Sequence, residues 1–319
     1  MDELRDTVRD FFGKHAAAAK ERSVGTFDRA LWTRLTRELG LTGIPSMEDL
    51  AVVVEEAGRV LLPLPYLSTV ATAVVSDGTL PGIADGTLVA TLAVQPQASA
   101  QRAGDRYTID GVTDLVIDGD VADVVVLAAV CDGEPGLFTV RCDDTVRRRP
   151  MSTLDLTRPV ARLEFDRTPA TRLTSSPDHA LDVLHTLLAV ESVGVAAASL
   201  DLTVAHLGTR EQFGRPLAAF QALRHRVADL AVSLEAATSS AWYAVRAPAS
   251  ELPVVAPLAK LVAAEAAYTI TAESIQLHGG IGFTWEHEAH RYFKRATVNR
   301  LTHGDPVSLR RLIGARAGL

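Results

Sequence analysis

The hydrophobic pattern of this chain changes twice along its length, and this change restricts the possible folds more than any other feature. Near the N-terminus, apolar residues such as Leu4, Val8 and Phe11 recur at helical spacing. Between about residues 87 and 175 the chain instead has short β-rich runs separated by Gly, Asp and Pro. From Leu181 onward the helical spacing returns. This order predicts separate helical and β parts rather than an alternating α/β fold.

The C-terminal part has the strongest helical signal. After Pro216, apolar residues follow at intervals of three and four: Leu217, Phe220, Leu223, Val227, Leu230 and Leu234. Helices that each present one apolar stripe pack together as a bundle. We therefore predict an α+β, mainly α chain with an N-terminal helical domain (1–86), a small antiparallel β domain (87–175) and a C-terminal four-helix bundle (176–319).

Glycine and proline predict the helix boundaries in this bundle. Gly214 is expected just beyond one helix and Pro216 at the start of the next. Pro248, Pro253 and Pro257 are expected in the following connection.

Composition excludes several classes of function. The net charge of -7 argues against a nucleic-acid surface or a surface for anionic membranes, which need clustered positive charge. The N-terminus does not resemble a signal peptide, and we expect no membrane span. Cys131 and Cys142 do not have metal-site spacing, and two thiols are too few for a disulfide scaffold. We expect a cytoplasmic protein.

Two short motifs carry the chemical information. The first is Thr-Arg-Glu-Gln-Phe-Gly-Arg-Pro at 209–216, followed by Phe220 and Gln221. Its Arg210 presents a planar guanidinium suited to phosphate, although the spacing alone favours a solvated corner with a surface ion pair. The second is Gln-Leu-His-Gly-Gly-Ile-Gly-Phe at 276–283, whose glycines allow close backbone approach or simply end a helix.

The two motifs together, with the basic stretch Arg291 to Arg295, resemble the C-terminal domain of acyl-CoA dehydrogenases. The resemblance implies an oxidoreductase that removes the α-proton and β-hydride of an acyl-CoA thioester and passes two electrons to FAD and then to an electron-transferring flavoprotein. It also implies residues that reach across a dimer interface to the ADP half of a neighbouring FAD. By their positions in the motifs these are Arg210, Phe213, Gln221, Gln276, Gly279 and Gly280.

The chain departs from this family at the catalytic base. The family Glu of a Glu-Gly pair before the last helix is replaced by His303, which precedes Gly304. In branches that place the base in the first long bundle helix, the corresponding residues are Leu184 and His185. Glu191 is seven residues further along and about 10 Å away on a helix, so we expect it to be structural or interfacial.

The segments that hold the flavin ring in this family also lack their expected residues in this chain. The family's Thr-Glu-Pro and Ala-Gly-Ser segments correspond to residues 94–100, which read Val-Gln-Pro-Gln-Ala-Ser-Ala, and its Trp-Ile-Thr corresponds to Leu115-Val116-Ile117. Hydroxyls and an aromatic ring that serve a flavin in the same subunit are therefore lost, whereas residues that serve a flavin in another subunit remain.

This asymmetry predicts an α2β2 assembly in which a homologous subunit carries the catalytic Glu and most of the acyl-CoA site. The chain resembles the short subunits of heterotetrameric acyl-CoA dehydrogenases in actinobacterial steroid degradation. One alternative is a self-sufficient enzyme that uses His303 as its base, since a neutral imidazole accepts protons at physiological pH.

Two further alternatives stay open. One is a scaffold subunit without flavin, and the other is a related flavin lyase or oxidase on the same fold. The histidines at 278, 287 and 290 lack a supporting carboxylate or Cys cluster, so we predict surface or capping roles for them and no metal.

Overall fold

The computed structural model describes residues 2–16, 25–104 and 106–319, with main chain only at Pro96 and Ala103. The chain forms two compact units. The first comprises Met1–Lys14, Met47–Leu62 and His185–Leu319, and the second comprises His15–Ser46 and Pro63–Leu184. The division into domains at 1–86, 87–175 and 176–319 stays a prediction.

The second unit contains helices α2 and α4 and a sheet. Helix α2 (Arg29–Thr33) is capped by Asp28, whose carboxylate accepts a hydrogen bond from the N–H of Leu31 at 2.9 Å. A π-helical turn, Arg34–Glu38, follows it. Helix α4 (Tyr66–Ser76) begins directly after Pro65.

Six strands form the sheet of this unit. They are β1 (Ala90–Ala103), β2 (Arg106–Ile117), β3 (Val124–Cys131), β4 (Glu134–Arg141), β5 (Val146–Met151) and β6 (Val160–Arg172). The strand order is β2-β1-β3-β4-β6-β5, and β2 also pairs with β6, so that the sheet closes on itself.

The sheet is antiparallel except at one pair, which corrects the expectation of a wholly antiparallel domain. Strands β1 and β3 are parallel, with Ala90 opposite Val124. The reason is topological: β2 lies on the far side of β1, so the chain leaving β2 passes β1 and begins β3 in the direction of β1. Buried side chains such as Leu127, Phe138 and Leu163 form the core.

The first unit is helical. Its helices are α1 (Asp2–His15), α3 (Met47–Arg59), α5 (Pro177–Thr209), α6 (Gln221–Arg246), α7 (Leu252–His278), α8 (Ala289–Leu301) and α9 (Pro306–Ala317), of which α5 begins in the second unit. The α+β, mainly α class is therefore confirmed.

Helices α3 and α5 cross at two glycines. A Cβ on Gly58 would lie 2.4 Å from the carbonyl oxygen of Glu191, and a Cβ on Gly194 would lie 2.0 Å from that of Glu55. Real Cβ atoms do not approach backbone oxygens this closely, so both positions require glycine if the crossing is to keep its geometry.

Two of the three prolines expected in the connection before α7 lie inside that helix. Pro253 is in its first turn, where proline is tolerated, whereas Pro257 is in its interior. The missing N–H of Pro257 would leave the carbonyl of Pro253 without its helical donor. Arg316 of α9 donates to that carbonyl at 2.9 Å, and this bond stabilises a proline that local sequence rules place outside a helix.

Two helical segments have the length and hydropathy of membrane spans, Pro177–Thr209 and Leu252–Phe283. In the described part of the chain, however, 89% and 56% of their apolar windows are buried. Burial of this kind is typical of core helices.

Candidate functional site

The first motif forms a β-hairpin rather than the expected direct corner between two helices. Strand β7 (Glu211–Gln212) pairs with β8 (Arg215–Pro216) through a two-residue turn. Phe213 and Gly214 in this turn have φ angles of 55° and 75°. Positive φ at both central residues is the conformation of a type I′ turn. Pro216 therefore ends the hairpin, and α6 begins at Gln221.

Phe213 is the most unusual residue of the hairpin. Its side chain is 91% exposed, and its ring contacts that of Phe220 edge-on at 6.1 Å between centroids. Asn and Gly are favoured at the first position of a type I′ turn, so Phe here brings no local benefit. A large exposed aromatic ring on a strained residue indicates a contact outside this chain.

Arg210 is exposed at the end of α5, where the backbone is well fixed. Its N–H donates to the carbonyl of His206 at 2.8 Å, and its own carbonyl accepts from the N–H of Leu217 at 2.8 Å. The guanidinium is thus presented to solvent from a hydrogen-bonded backbone.

The second motif begins at the end of α7. Gly279 has φ 65° and ψ -143°, a conformation that only glycine adopts readily. A Cβ on Gly282 would lie 2.6 Å from the carbonyl of Ile275, so that glycine is required by packing. Gly280 differs, because it has neither a positive φ nor a neighbouring atom within 4 Å of an added Cβ. The open space at Gly280 therefore suits the approach of a group from outside the chain.

The structure brings the two motifs together. The rings of His206 in α5 and His278 at the end of α7 are 4.5 Å apart between centroids. Arg226 of α6 also forms an ion pair with Glu273 of α7. Arg210 follows His206 by one helical turn, and Gln276 lies two residues before His278.

All six predicted flavin-binding residues lie on the surface of the described chain at this end of the bundle. They are Arg210, Phe213, Gln221, Gln276, Gly279 and Gly280. Four exposed side chains and open backbone at the two glycines are thus accessible to a ligand from outside the chain.

One of the three histidines beside this surface differs from expectation, whereas His287 makes a capping contact, since its Nδ1 accepts from the N–H of Ala289 at the start of α8. His278 is only 5% exposed and stacks between His206 and His287, so it is not a surface residue. Sequence alone could not reveal this, because the three rings come from α5, α7 and the segment before α8. Within the described ranges, no three His, Cys, Asp or Glu side chains group as metal ligands.

At the family position of the catalytic base, the backbone of His303 is held from inside the bundle. His303 has φ 54°, and its carbonyl lies 2.8 Å from Nε2 of His185. His185 is fully buried, which lowers its pKa to about 4, so the neutral ring donates this bond. The segment at the family base position is therefore in direct contact with α5 at His185, the residue that follows Leu184.

Lys260 of α7 holds the same segment, and sequence analysis missed it. Its Nζ is buried and donates to the carbonyl of Gly304, with the carbonyl of Arg300 at 3.5 Å. Burial lowers the pKa of Lys260 to about 7. A single Lys within the apolar, Ala-rich part of α7 was the available signal, since a charge in such a helix needs a buried partner.

The neighbouring carboxylates have structural roles. Asp305 caps α9, accepting hydrogen bonds from the N–H groups of Val307 and Ser308 at 2.8 Å each. Buried Glu191 pairs with Arg295 at 2.9 Å and accepts from Asn299 at 2.8 Å. These contacts support the structural role predicted for Glu191, because its carboxylate is engaged by two buried partners.

The segments that correspond to a flavin-ring pocket lie on β1 and β2 of the second unit. Val94 is 7% exposed, whereas Leu115 is 62% exposed and has φ 57°. Neither side chain can donate a hydrogen bond to a flavin ring.

Comparisons with known proteins agree with these features. The model of the family "Acyl-CoA dehydrogenase, C-terminal domain" matches residues 177–318. Acyl-CoA dehydrogenase IpdE2 of Mycobacterium tuberculosis is 37% identical over 92% of this chain and 89% of its own length. IpdE2 of Mycolicibacterium smegmatis is 36% identical over 97% of this chain and 96% of its own length.

Solved structures show the same fold. A variant of the Tcur3481-Tcur3483 steroid ACAD superposes with a TM-score of 0.92 and 28% identity, covering 99% of this chain and 97% of that one. The ChsE4-ChsE5 complex of Mycobacterium tuberculosis, at 23% identity, has a TM-score of 0.86 over 99% of this chain and 96% of the matched one. The motifs, the fold and the relatives together establish that this chain belongs to the acyl-CoA dehydrogenase family of oxidoreductases.

Proposed function

We propose that this chain is the subunit of a heteromeric, FAD-dependent acyl-CoA dehydrogenase that holds the ADP half of a homologous partner's flavin. One observation carries the proposal. The residues that would serve a partner's flavin are exposed and structurally intact, whereas the segment of its own base is fixed by buried His185 and Lys260 and contains no Glu.

The surface fits a diphosphate and its nucleoside. Arg210 can donate two parallel hydrogen bonds to phosphate oxygens, and the open backbone at Gly280 leaves room for close approach. Gln221 and Gln276 add side-chain amides that both donate and accept. Phe213 supplies an exposed apolar ring beside them.

The beginning of α6 supports a partner on this side of the bundle. The predicted apolar stripe of this helix is buried at Leu230, but Leu223, Val227 and Leu234 are only half-buried, and nearby Val232 is 71% exposed. A stripe that its own chain leaves partly exposed is typical of a protein interface.

The reaction proposed is the α,β-dehydrogenation of an acyl-CoA thioester. When bound, FAD accepts the hydride and passes its electrons to an electron-transferring flavoprotein. This chain would anchor and orient the diphosphate, while the partner supplies the carboxylate that takes the α-proton. A steroid-derived acyl group is proposed from the likeness to the steroid ACAD, and a cytoplasmic location accompanies this role.

A self-sufficient enzyme with His303 as base is the second candidate. It rests on the half-buried His303 side chain at the family base position. The bonds from His185 and Lys260 involve the backbone of this segment and do not activate its ring. A scaffold without flavin is less consistent with the structure, because Arg210, Gln221 and Gln276 are all exposed at motif positions that correspond to flavin-binding residues of the family.

The deciding experiment measures flavin content and oligomeric mass. It compares this chain expressed alone with this chain expressed together with a homologous acyl-CoA dehydrogenase subunit of the same source. We expect an α2β2 complex with one FAD per αβ pair, and little flavin on the chain alone. Arg210→Ala in the complex should release FAD, whereas Arg310→Ala, an exposed arginine on α9, should not.

Two results would contradict the proposal. One FAD per chain in the absence of a partner would favour the His303 enzyme, and His303→Ala should then abolish turnover. A colourless complex would favour the scaffold.

A further inference from the structure

Three imidazole rings from different elements stack beside the proposed diphosphate site. His206 belongs to α5, His278 ends α7, and His287 lies in the segment before α8. Ring centroids are 4.5 Å apart for His206 and His278 and 4.3 Å apart for His278 and His287. We call these three residues the histidine stack. The backbone bond between Arg210 and His206 places it one helical turn from the proposed phosphate ligand.

Hydrogen bonds define which nitrogens of the stack can take a proton. Nδ1 of His278 lies 2.7 Å from the carbonyl oxygen of Ser274, so this nitrogen carries the proton because a carbonyl only accepts. Nδ1 of His287 accepts from the N–H of Ala289 at 3.1 Å, and protonation there would break this bond. The described residues place no such restraint on the His206 ring, so a proton can be added to this ring without breaking a hydrogen bond.

The charges around the stack disfavour protonation in the free chain. Burial, His278, His287 and Arg210 lower the pKa of His206 below its ordinary value. Burial, His278 and His290 lower the pKa of His287, while the carboxylate of Glu288 acts in the opposite direction. Protonation of His206 and His287 is therefore less favourable than that of an ordinary histidine.

We propose that the histidine stack extends the diphosphate site and takes up a proton when the anion binds beside Arg210. The inference rests on the proposed function, and it adds a pH dependence that Arg210 alone cannot produce. A bound diphosphate compensates the positive charge of Arg210 and so removes part of the repulsion on His206. It also stabilises a proton on the stack, because the negative diphosphate attracts a positively charged imidazolium ring.

The direction of the pH dependence follows from linkage. Binding raises the ring pKa, so the additional affinity is fully present below the pKa of the free ring and is lost as pH rises through that of the bound ring. In the free chain the pKa values of His206 and His287 lie below the ordinary value of about 6.5. These free values set the lower edge of the pH range over which the affinity changes. Uptake of one proton changes the affinity by up to about tenfold per pH unit, and partial uptake by less.

The test uses the purified complex with its partner subunit, depleted of flavin and titrated with FAD at about pH 5.5, 6.5 and 7.5. Flavin fluorescence reports the Kd, independently of turnover. Wild type is compared with His206→Gln and His287→Gln, since Gln cannot titrate. His179→Gln, at an exposed histidine near the start of α5, is the matched control.

We expect FAD affinity to rise as the pH falls, with a steeper slope in wild type and His179→Gln than in His206→Gln. Where the two slopes differ most, the change in FAD affinity per pH unit should be about threefold to tenfold larger in wild type than in His206→Gln. Equal slopes in wild type and both stack variants, with thermal unfolding curves that show intact folding, would overturn the proposal.

Arg210→Ala separates this result from failure of the proposed function. If Arg210→Ala loses FAD while the stack variants keep the wild-type slope, only the proton-linked role is wrong. If Arg210→Ala binds FAD as wild type does, the trans site and its stack are both wrong.

Discussion

At the scale of single residues, the most informative change is the replacement of the family Glu by His303. A lost carboxylate in a sequence leaves open whether histidine has taken over its chemistry. The structure adds that buried His185 and Lys260 donate hydrogen bonds to the backbone around this position and so fix it. The position is thus maintained as part of the core of the bundle.

His185 should make the chain sensitive to acid. Its pKa falls to about 4 in the folded state, so unfolding takes up a proton between that value and about 6.5. Stability conferred by the neutral ring is therefore present above about pH 6.5 and is lost as pH falls, by on the order of 3 kcal/mol at pH 4. Urea denaturation should show this loss in wild type and His225→Gln, an exposed control, and a smaller loss in His185→Gln.

Lys260 should produce the same direction of change in a higher pH range. Its pKa is about 7 when folded, so wild type gains stability as pH rises from 7 towards 10, by at most about 1.4 kcal/mol per unit. Lys260→Met removes this gain together with the bonds to two carbonyls. We expect the variant to be less stable than wild type at pH 9 and the difference to shrink or reverse at pH 7. A constant difference, like that of the exposed control Lys14→Met, would contradict a buried titrating lysine.

At the scale of elements, local rules gave the helices and most strands but failed where a distant residue decides the outcome. Asp28 caps α2 as its sequence suggests, because capping depends on the next three residues. Pro257 lies within α7 because Arg316, 59 positions later, supplies a donor to Pro253. The hairpin at 211–216 was missed because its strands are only two residues each, too short to show an alternating pattern.

The candidate site was likewise predictable where a sequence motif defines it, but not where contacts between distant residues define it. Its six residues follow from the resemblance, whereas the histidine stack and Lys260 depend on contacts among separate helices. No spacing rule within one segment can report such contacts.

The crossing of α3 and α5 allows a matched test of packing. Gly194→Ala places a Cβ against the carbonyl of Glu55, and we expect a loss of about 1–3 kcal/mol of unfolding free energy. Gly208→Ala lies on the same helix with no atom within 4 Å of its Cβ, and better helix propensity should stabilise it by up to about 1 kcal/mol. Equal effects of the two substitutions on thermal unfolding would show that the helices do not cross this closely.

At the scale of the whole molecule, the chain keeps the family fold, and the charged and aromatic side chains of its first motif are exposed on the surface. The bundle is stabilised internally by buried pairs such as Glu191 with Arg295, whereas the side chains of Arg210, Gln221 and Gln276 are exposed. Residues that do not stabilise their own chain, and that adopt an unfavourable conformation, are expected to act in the assembly.

Phe213 is the sharpest test of that expectation. Asn is favoured where Phe213 has φ 55°, so Phe213→Asn should leave the stability of the isolated chain unchanged or slightly raised, within about 0.5 kcal/mol. In the complex the same change should weaken partner association or FAD retention tenfold or more, corresponding to about 1.4 kcal/mol, because exposed aromatic anchors dominate interfaces. Arg167→Asn, at another exposed residue with positive φ, is the control. Thermal unfolding of the chain and sedimentation of the complex measure the two effects separately. A Phe213→Asn complex that assembles and keeps its flavin as wild type does would remove the hairpin from the interface, because the strained ring would then contribute neither to the chain nor to the assembly.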